Sequence, residues 1–150
     1  MKKRRLIIRS CILALITVAL GYTFYFSFSD DFSLAQTGDA SINFVLENLE
    51  GERIELDELS GKGVFLNFWG TFCKECVEEM PIMDELYQEY KDKDVELIAI
   101  NVDESELAVK RFIERLDVSF PVVIDKGLNV TKAYGINPLP TTVLIDKSGI

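Results

Sequence analysis

The sequence predicts an α/β fold in which a parallel-containing sheet is covered on both faces, preceded by one N-terminal transmembrane helix. Three observations carry this. After Gly63, apolar runs of strand length alternate with stretches of helical periodicity. Residues 10–28 form a run of 19 residues without a charge. Two cysteines, Cys73 and Cys76, fall at a strand-to-helix junction.

Charge is unevenly placed. Lys2, Lys3, Arg4, Arg5 and Arg9 are 5 of the 16 basic residues, whereas all 25 acidic residues lie from Asp30 onward. The part after residue 29 holds 11 basic and 25 acidic residues, a net charge of −14. Such a domain repels phosphate backbones, which argues against nucleic-acid binding. As a helix, the uncharged run spans roughly 28 Å at about 1.5 Å per residue, close to the ~30 Å hydrocarbon thickness. The basic cluster should keep the N-terminus cytoplasmic, and Tyr22 and Tyr25 then fall near the outer interface. The expectation is a single-pass membrane protein, N-terminus inside, whose acidic domain lies outside the cytoplasmic membrane. Its rival is a cleaved signal peptide with small residues at Ser33 and Ala35. Against that, the apolar run exceeds the usual h-region of about 7–15 residues, and the site lies well past its end. Cys11 lacks the small residues that precede a lipoprotein cysteine and reads as a small apolar residue.

These features divide the chain into a basic stub and anchor (1–28), a polar linker (29–40) and a domain (41–150). In the domain, "INFVLENLEGERIEL" reads as two short strands around Glu50-Gly51, and "LDELSGKG" as a helical turn ended by glycines. "VFLNFW" (64–69) has the continuous apolarity of a strand buried on both faces. From 74 to 91, Val77, Met80, Met83, Leu86, Tyr87 and Tyr90 make one helical face, with Pro81 expected to kink it. "VELIAINVD" (95–103) is a second buried strand. Glu106–Leu116 is an amphipathic helix for which Ser105 suits the N-cap. "PVVID", the short helix of "LNVTKAYGI" and "TTVLID" follow, and "DKSG" reads as a hairpin turn. A returning strand is expected after Ile150, so the edge at 141–146 is expected to be open, as in a fragment or truncated product, and to invite aggregation.

The cysteine spacing has chemical content. At the start of a helix, free N–H groups and the positive dipole end favour a thiolate at Cys73, and a thiolate is what attacks a disulfide. Cys76, one turn on, can resolve the mixed disulfide. A structural zinc site wants about four ligands, and the chain has no histidine and no third cysteine near the pair. A purely structural disulfide closing so short a loop stabilises little. Reversible dithiol–disulfide exchange fits best. In "NPLPTT", Pro140 precedes a strand and is a candidate for a cis peptide bond.

Taken in order, "NFWGTFCKECVEEMP", "NVDES", "FPVVID" and "INPLPTT" resemble the thioredoxin superfamily, and within it the membrane-anchored ResA-type thiol-disulfide oxidoreductases that serve bacterial cytochrome c maturation. The resemblance covers the whole chain. It implies a thioredoxin-like fold with a central mixed sheet flanked by helices, its last strand and helix absent here. It makes Cys73 the exposed nucleophile and Cys76 the buried partner, with no cofactor beyond their redox-active disulfide and no metal. Glu79 matches an acidic residue that tunes the cysteines; by spacing alone it reads as a solvated helix glutamate like Glu78. Pro140 matches the cis-proline facing the disulfide. Trp69, Phe72, Leu139 and Thr141 would complete the substrate-binding groove. The implied partners are apocytochrome c, with its C-x-x-C-H haem site, and a transmembrane thiol reductase of the CcdA type as electron donor. Two departures bear on redox poise: Phe72 stands where the family commonly has Trp, and Lys74-Glu75 where ResA-type proteins commonly have Glu-Pro. Lys74 should favour the thiolate and Glu75 oppose it.

Other functions fit less well. A broader oxidase or isomerase of exported proteins would use the same residues at a higher potential. A peroxiredoxin would carry Pro-x-x-x-Thr-x-x-Cys, and a Sco-type copper protein a wider cysteine spacing and a histidine. An inactive truncated product is the last rival.

Overall fold

The computed structural model describes residues 12–23 and 35–150. The chain divides into two compact units, one ending at Ser33 and the other beginning at Leu34. In the first, helix α1 (12–23) exposes Ile12, Leu13, Leu15, Ile16, Val18 and Leu20. The Thr17 and Thr23 hydroxyls donate to carbonyls three and four residues back, at 2.9–3.1 Å, so their polar groups are satisfied within the helix. The ends of the expected 10–28 span lie outside the described residues. No described helix is long and apolar enough to cross a membrane.

The second unit opens with a hairpin, β1 (Val45–Glu47) and β2 (Arg53–Glu55). Asn48 builds its turn: Oδ1 accepts from the N–H of Glu50 at 3.1 Å and of Glu52 at 2.7 Å, and Gly51 takes a φ of +83°. A short 3-10 helix (Leu56–Leu59) leads into β3 (Gly63–Trp69). Then come α2 (Lys74–Tyr90), β4 (Val95–Asn101), α3 (Glu106–Leu116), β5 (Val122–Ile124), α4 (Asn129–Ala133) and β6 (Thr141–Ile145). The four-stranded sheet runs β5-β4-β3-β6, with β4 parallel to both β3 and β5 and β6 antiparallel to β3. The expected mixed α/β sheet is therefore present.

Alternation along β3 divides the core. Val64, Leu66 and Phe68 join Ile98, Ile100, Val123, Val130 and Tyr134 on one face, beneath the hairpin and α4. Trp69 joins Met80, Leu97, Ala99, Val109, Phe120 and the two cysteines on the other, beneath α2 and α3. One corner of that second face is bare: Phe65 and its cross-strand neighbour Leu144 are 43% and 61% exposed.

Three elements bear on the expectations. Helix α2 runs through Pro81 for 17 residues; the missing Pro81 N–H removes one rung of the ladder, to the Val77 carbonyl, without ending the helix. Strand β4 stops at Asn101 rather than Asp103, because Asp103 turns into the left-handed region (φ 56°). The 146–149 turn forms as expected, with Gly149 N–H donating to Asp146 O at 3.0 Å and Asp146 N–H to Ile150 O at 2.8 Å.

Candidate active site

Cys73 and Cys76 form a disulfide at the junction of β3 and α2. Cys73 is the N-cap of α2 rather than part of its first turn. Its Sγ accepts the Cys76 N–H at 3.3 Å, and its own N–H donates to Gly70 O at 3.0 Å. The helix terminus thus directs an orphan N–H at the Cys73 sulfur, which favours negative charge there once the disulfide opens. Cys76 is fully buried. Cys73, expected to be exposed, is only 7% accessible, because it packs in the Trp69–Met80 cluster that Leu139 also touches. The accessible member of the pair is still Cys73.

The rim is apolar. Phe72 is 70% exposed, and its ring lies over Gly70, where a Cβ would stand 2.5 Å from the ring. The Asn137–Pro138 and Leu139–Pro140 bonds are both cis; the second matches expectation and the first was not foreseen. Thr141 Oγ1 donates to Pro138 O at 2.6 Å, securing this loop at the start of β6. Trp69 is buried in the cysteine cluster with no partner for Nε1, so it stands behind the disulfide rather than on the rim.

Glu79 and Glu78 occupy different surroundings. Glu78 is solvated and pairs with Lys74 at 3.4 Å, an exposed i,i+4 contact worth little. Glu79 is half-buried, and its Oε1 accepts from Asn67 Nδ2 at 2.9 Å. Asn67 also donates to Thr142 Oγ1 at 3.2 Å, while its buried Oδ1 has no partner.

Sequence reasoning missed Glu104. Its carboxylate accepts from Thr71 N–H at 2.7 Å, Thr71 Oγ1 at 2.5 Å and Asn101 Nδ2 at 2.7 Å, tying the 70–72 turn to the end of β4. "NVDES" was visible as a motif, but nothing in its composition separates a clamp from a solvated acid. A cavity of about 630 Å³ opens elsewhere, between the hairpin and α4, and is lined by residues such as Phe44, Asp125 and Val130; neither cysteine lines it. Beside the cysteine pair, the exposed apolar side chain is Phe72.

The chain is similar to known proteins in sequence and fold. Residues 37–150 match the family model described as AhpC/TSA. The chain is 62% identical to the thiol-disulfide oxidoreductase ResA of Halalkalibacterium halodurans, over 99% of this chain and 84% of that one. It is 52% identical to ResA of Bacillus anthracis, over 99% and 86% respectively. A crystal structure described as a thiol:disulfide interchange protein DsbE from Chlorobium tepidum superposes with a TM-score of 0.72 at 30% identity, covering 78% of this chain and 82% of that one. StoA from Bacillus subtilis superposes with a TM-score of 0.66 at 28% identity, covering 75% and 86%.

Proposed function

The chain belongs to the AhpC/TSA family and is a thioredoxin-like thiol-disulfide oxidoreductase, and from that premise we propose that it is a membrane-tethered reductant of exported proteins whose leading substrate is apocytochrome c. The observation that carries the reading is the Cys73–Cys76 disulfide at the N-terminus of α2, with Cys73 7% accessible and Cys76 fully buried. In the dithiol form, the Cys73 thiolate bonds to one sulfur of the target disulfide and displaces the other, which takes a proton. Cys76 loses its proton and bonds to Cys73 Sγ. The mixed disulfide breaks, the second target sulfur leaves as a thiolate, and two electrons have passed to the target. Glu79 tunes the acidity of the pair. Phe72, Leu139, Pro140 and Thr141 line the groove for the target segment, with Trp69 packed behind it.

The site outside the cytoplasmic membrane and the haem-attachment substrate rest on the resemblance to ResA-type proteins and on the uncharged run at 10–28. An oxidising compartment requires that such a reductant be recharged, and a transmembrane thiol reductase of the CcdA type suits that role.

Equilibrating the full chain in defined thiol–disulfide buffers tests the direction of electron flow. A potential of about −270 mV or lower supports a reductant; one near about −120 mV overturns it in favour of an oxidase of exported proteins.

A further inference from the structure

Asn67 is the only polar residue within β3 and is 1% exposed, on the same face as Trp69. Its Nδ2 serves Glu79 and Thr142, and its Oδ1 serves nothing. Structure alone gives no reason for a half-used amide there, since an apolar residue of similar volume avoids the cost of an orphaned acceptor. An amide offers what leucine does not: it is neutral, and either of its ends can meet a carboxyl group. With Nδ2 forward it donates to a carboxylate; turned by half a revolution it presents Oδ1 to a protonated acid.

We propose that Asn67 is the positioning residue for Glu79, holding its carboxyl at the boundary of α2 and the sheet in both protonation states and setting the pH at which it exchanges a proton with the cysteine pair. This rests on the reading of Glu79 given above. In the resolving step the Cys76 thiol proton passes to the Glu79 carboxylate as the Cys76 sulfur bonds to Cys73 Sγ. The bond from Cys73 to the target sulfur breaks, and the departing target thiolate takes a proton from solvent. Glu79 then returns its proton to solvent past Thr142, which is exposed on β6.

Few other charges compete for Glu79. On α2 its titratable neighbours are Glu75, Cys76 and Glu78, the last paired with Lys74. Neither β3 nor β6 carries a charged side chain, and the 136–140 loop between α4 and β6 has none. Asn67 is the group through which the sheet acts on this acid.

The test follows the Glu79 carboxyl by its side-chain carbon chemical shift in the full, reduced chain, alongside the pH profile of disulfide reduction. Asn67→Leu removes the donor to the charged form, so the Glu79 midpoint should rise by about one unit or more, and the acid limb of the rate profile should move with it. In a Glu79→Gln background the same substitution should leave the rate profile where it is. Asn67→Asp sets a second carboxylate against Glu79 and should raise its midpoint further, a result that stands even if Asn67→Leu does not fold. Thr142→Val keeps the Asn67–Glu79 bond and should leave the midpoint in place; a shift as large as that of Asn67→Leu would assign the effect to lost packing and overturn the proposal. An unmoved midpoint in folded Asn67→Leu or Asn67→Asp also overturns it. An unchanged rate profile in Glu79→Gln alone removes the role given to Glu79 and leaves the Asn67 effect on its midpoint to be judged separately.

Discussion

Glu104 holds Thr71 by both backbone and side chain, its two carboxylate oxygens taking the Thr71 N–H at 2.7 Å and Oγ1 at 2.5 Å. The turn that delivers Cys73 is therefore fastened to the end of β4, one residue before the Ser105 cap of α3. Charge-assisted bonds of this kind contribute about 1.5–3 kcal/mol. Glu104→Ala should lower the urea-derived stability by about 2 kcal/mol. It should also slow disulfide reduction about tenfold through misplacement of the nucleophile. Stability lost with an unchanged rate would separate the clamp from catalysis.

Removing the sealed cysteine should arrest the reaction halfway. In Cys76→Ser the Cys73 thiolate can attack a target but nothing resolves the product, so a stable mixed disulfide should accumulate. Intact-mass spectrometry reads it as one target molecule per chain. Cys73→Ser, with Cys11 replaced by Ser in both variants, should form none, because Cys76 is fully buried.

Asp125 is 1% exposed and accepts from Val130 N–H at 3.2 Å, Thr131 N–H at 2.7 Å and Thr131 Oγ1 at 2.7 Å, which starts α4. Asp125→Ala leaves those donors buried without an acceptor. A loss of about 2–3 kcal/mol is expected in chemical denaturation.

Two tyrosines make the domain sensitive to alkali. Burial raises the Tyr134 hydroxyl above its usual pKa of 10.0, the Ile42 N–H donating to the phenolic oxygen at 3.0 Å offsets part of this, and Asp57 adds to the rise. Burial and Glu96 raise Tyr87 in the same direction. A folded-state pKa above the unfolded value means that the native state binds more protons, so the contribution is complete below about pH 10 and is lost as pH rises beyond it. Stability should fall above about pH 10, and Tyr134→Phe should make that fall shallower. Below that range the same variant should be less stable, having lost the bonds at 2.8 and 3.0 Å to Ile42. Urea midpoints across the pH range give both signs.

The periodicities in the chain made most of this architecture legible. "VFLNFW" and "VELIAIN" read as buried strands because nearly every residue is apolar, and the 106–116 pattern read as a helix with Ser105 at its cap. The cysteine pair and Pro140 were legible because their spacing is rare and chemically specific. Asn67 and Glu104 were not. A single polar residue in a strand, or an acid before a helix, acquires its meaning only from partners 12 and 33 residues away, Glu79 and Thr71. The second cis bond, at Pro138, escaped for a similar reason: its flanking residues resemble any turn.

Trp69 is the chain's only tryptophan, and it is buried in the same cluster as both sulfurs. Its indole is thus an optical reporter placed by the fold itself against the bond that opens and closes. A disulfide beside an indole quenches emission more strongly than two thiols do, so reduction should brighten the protein in step with thiol count. Electron transfer into this domain can then be timed without a label, by light from the residue that forms the floor of the site.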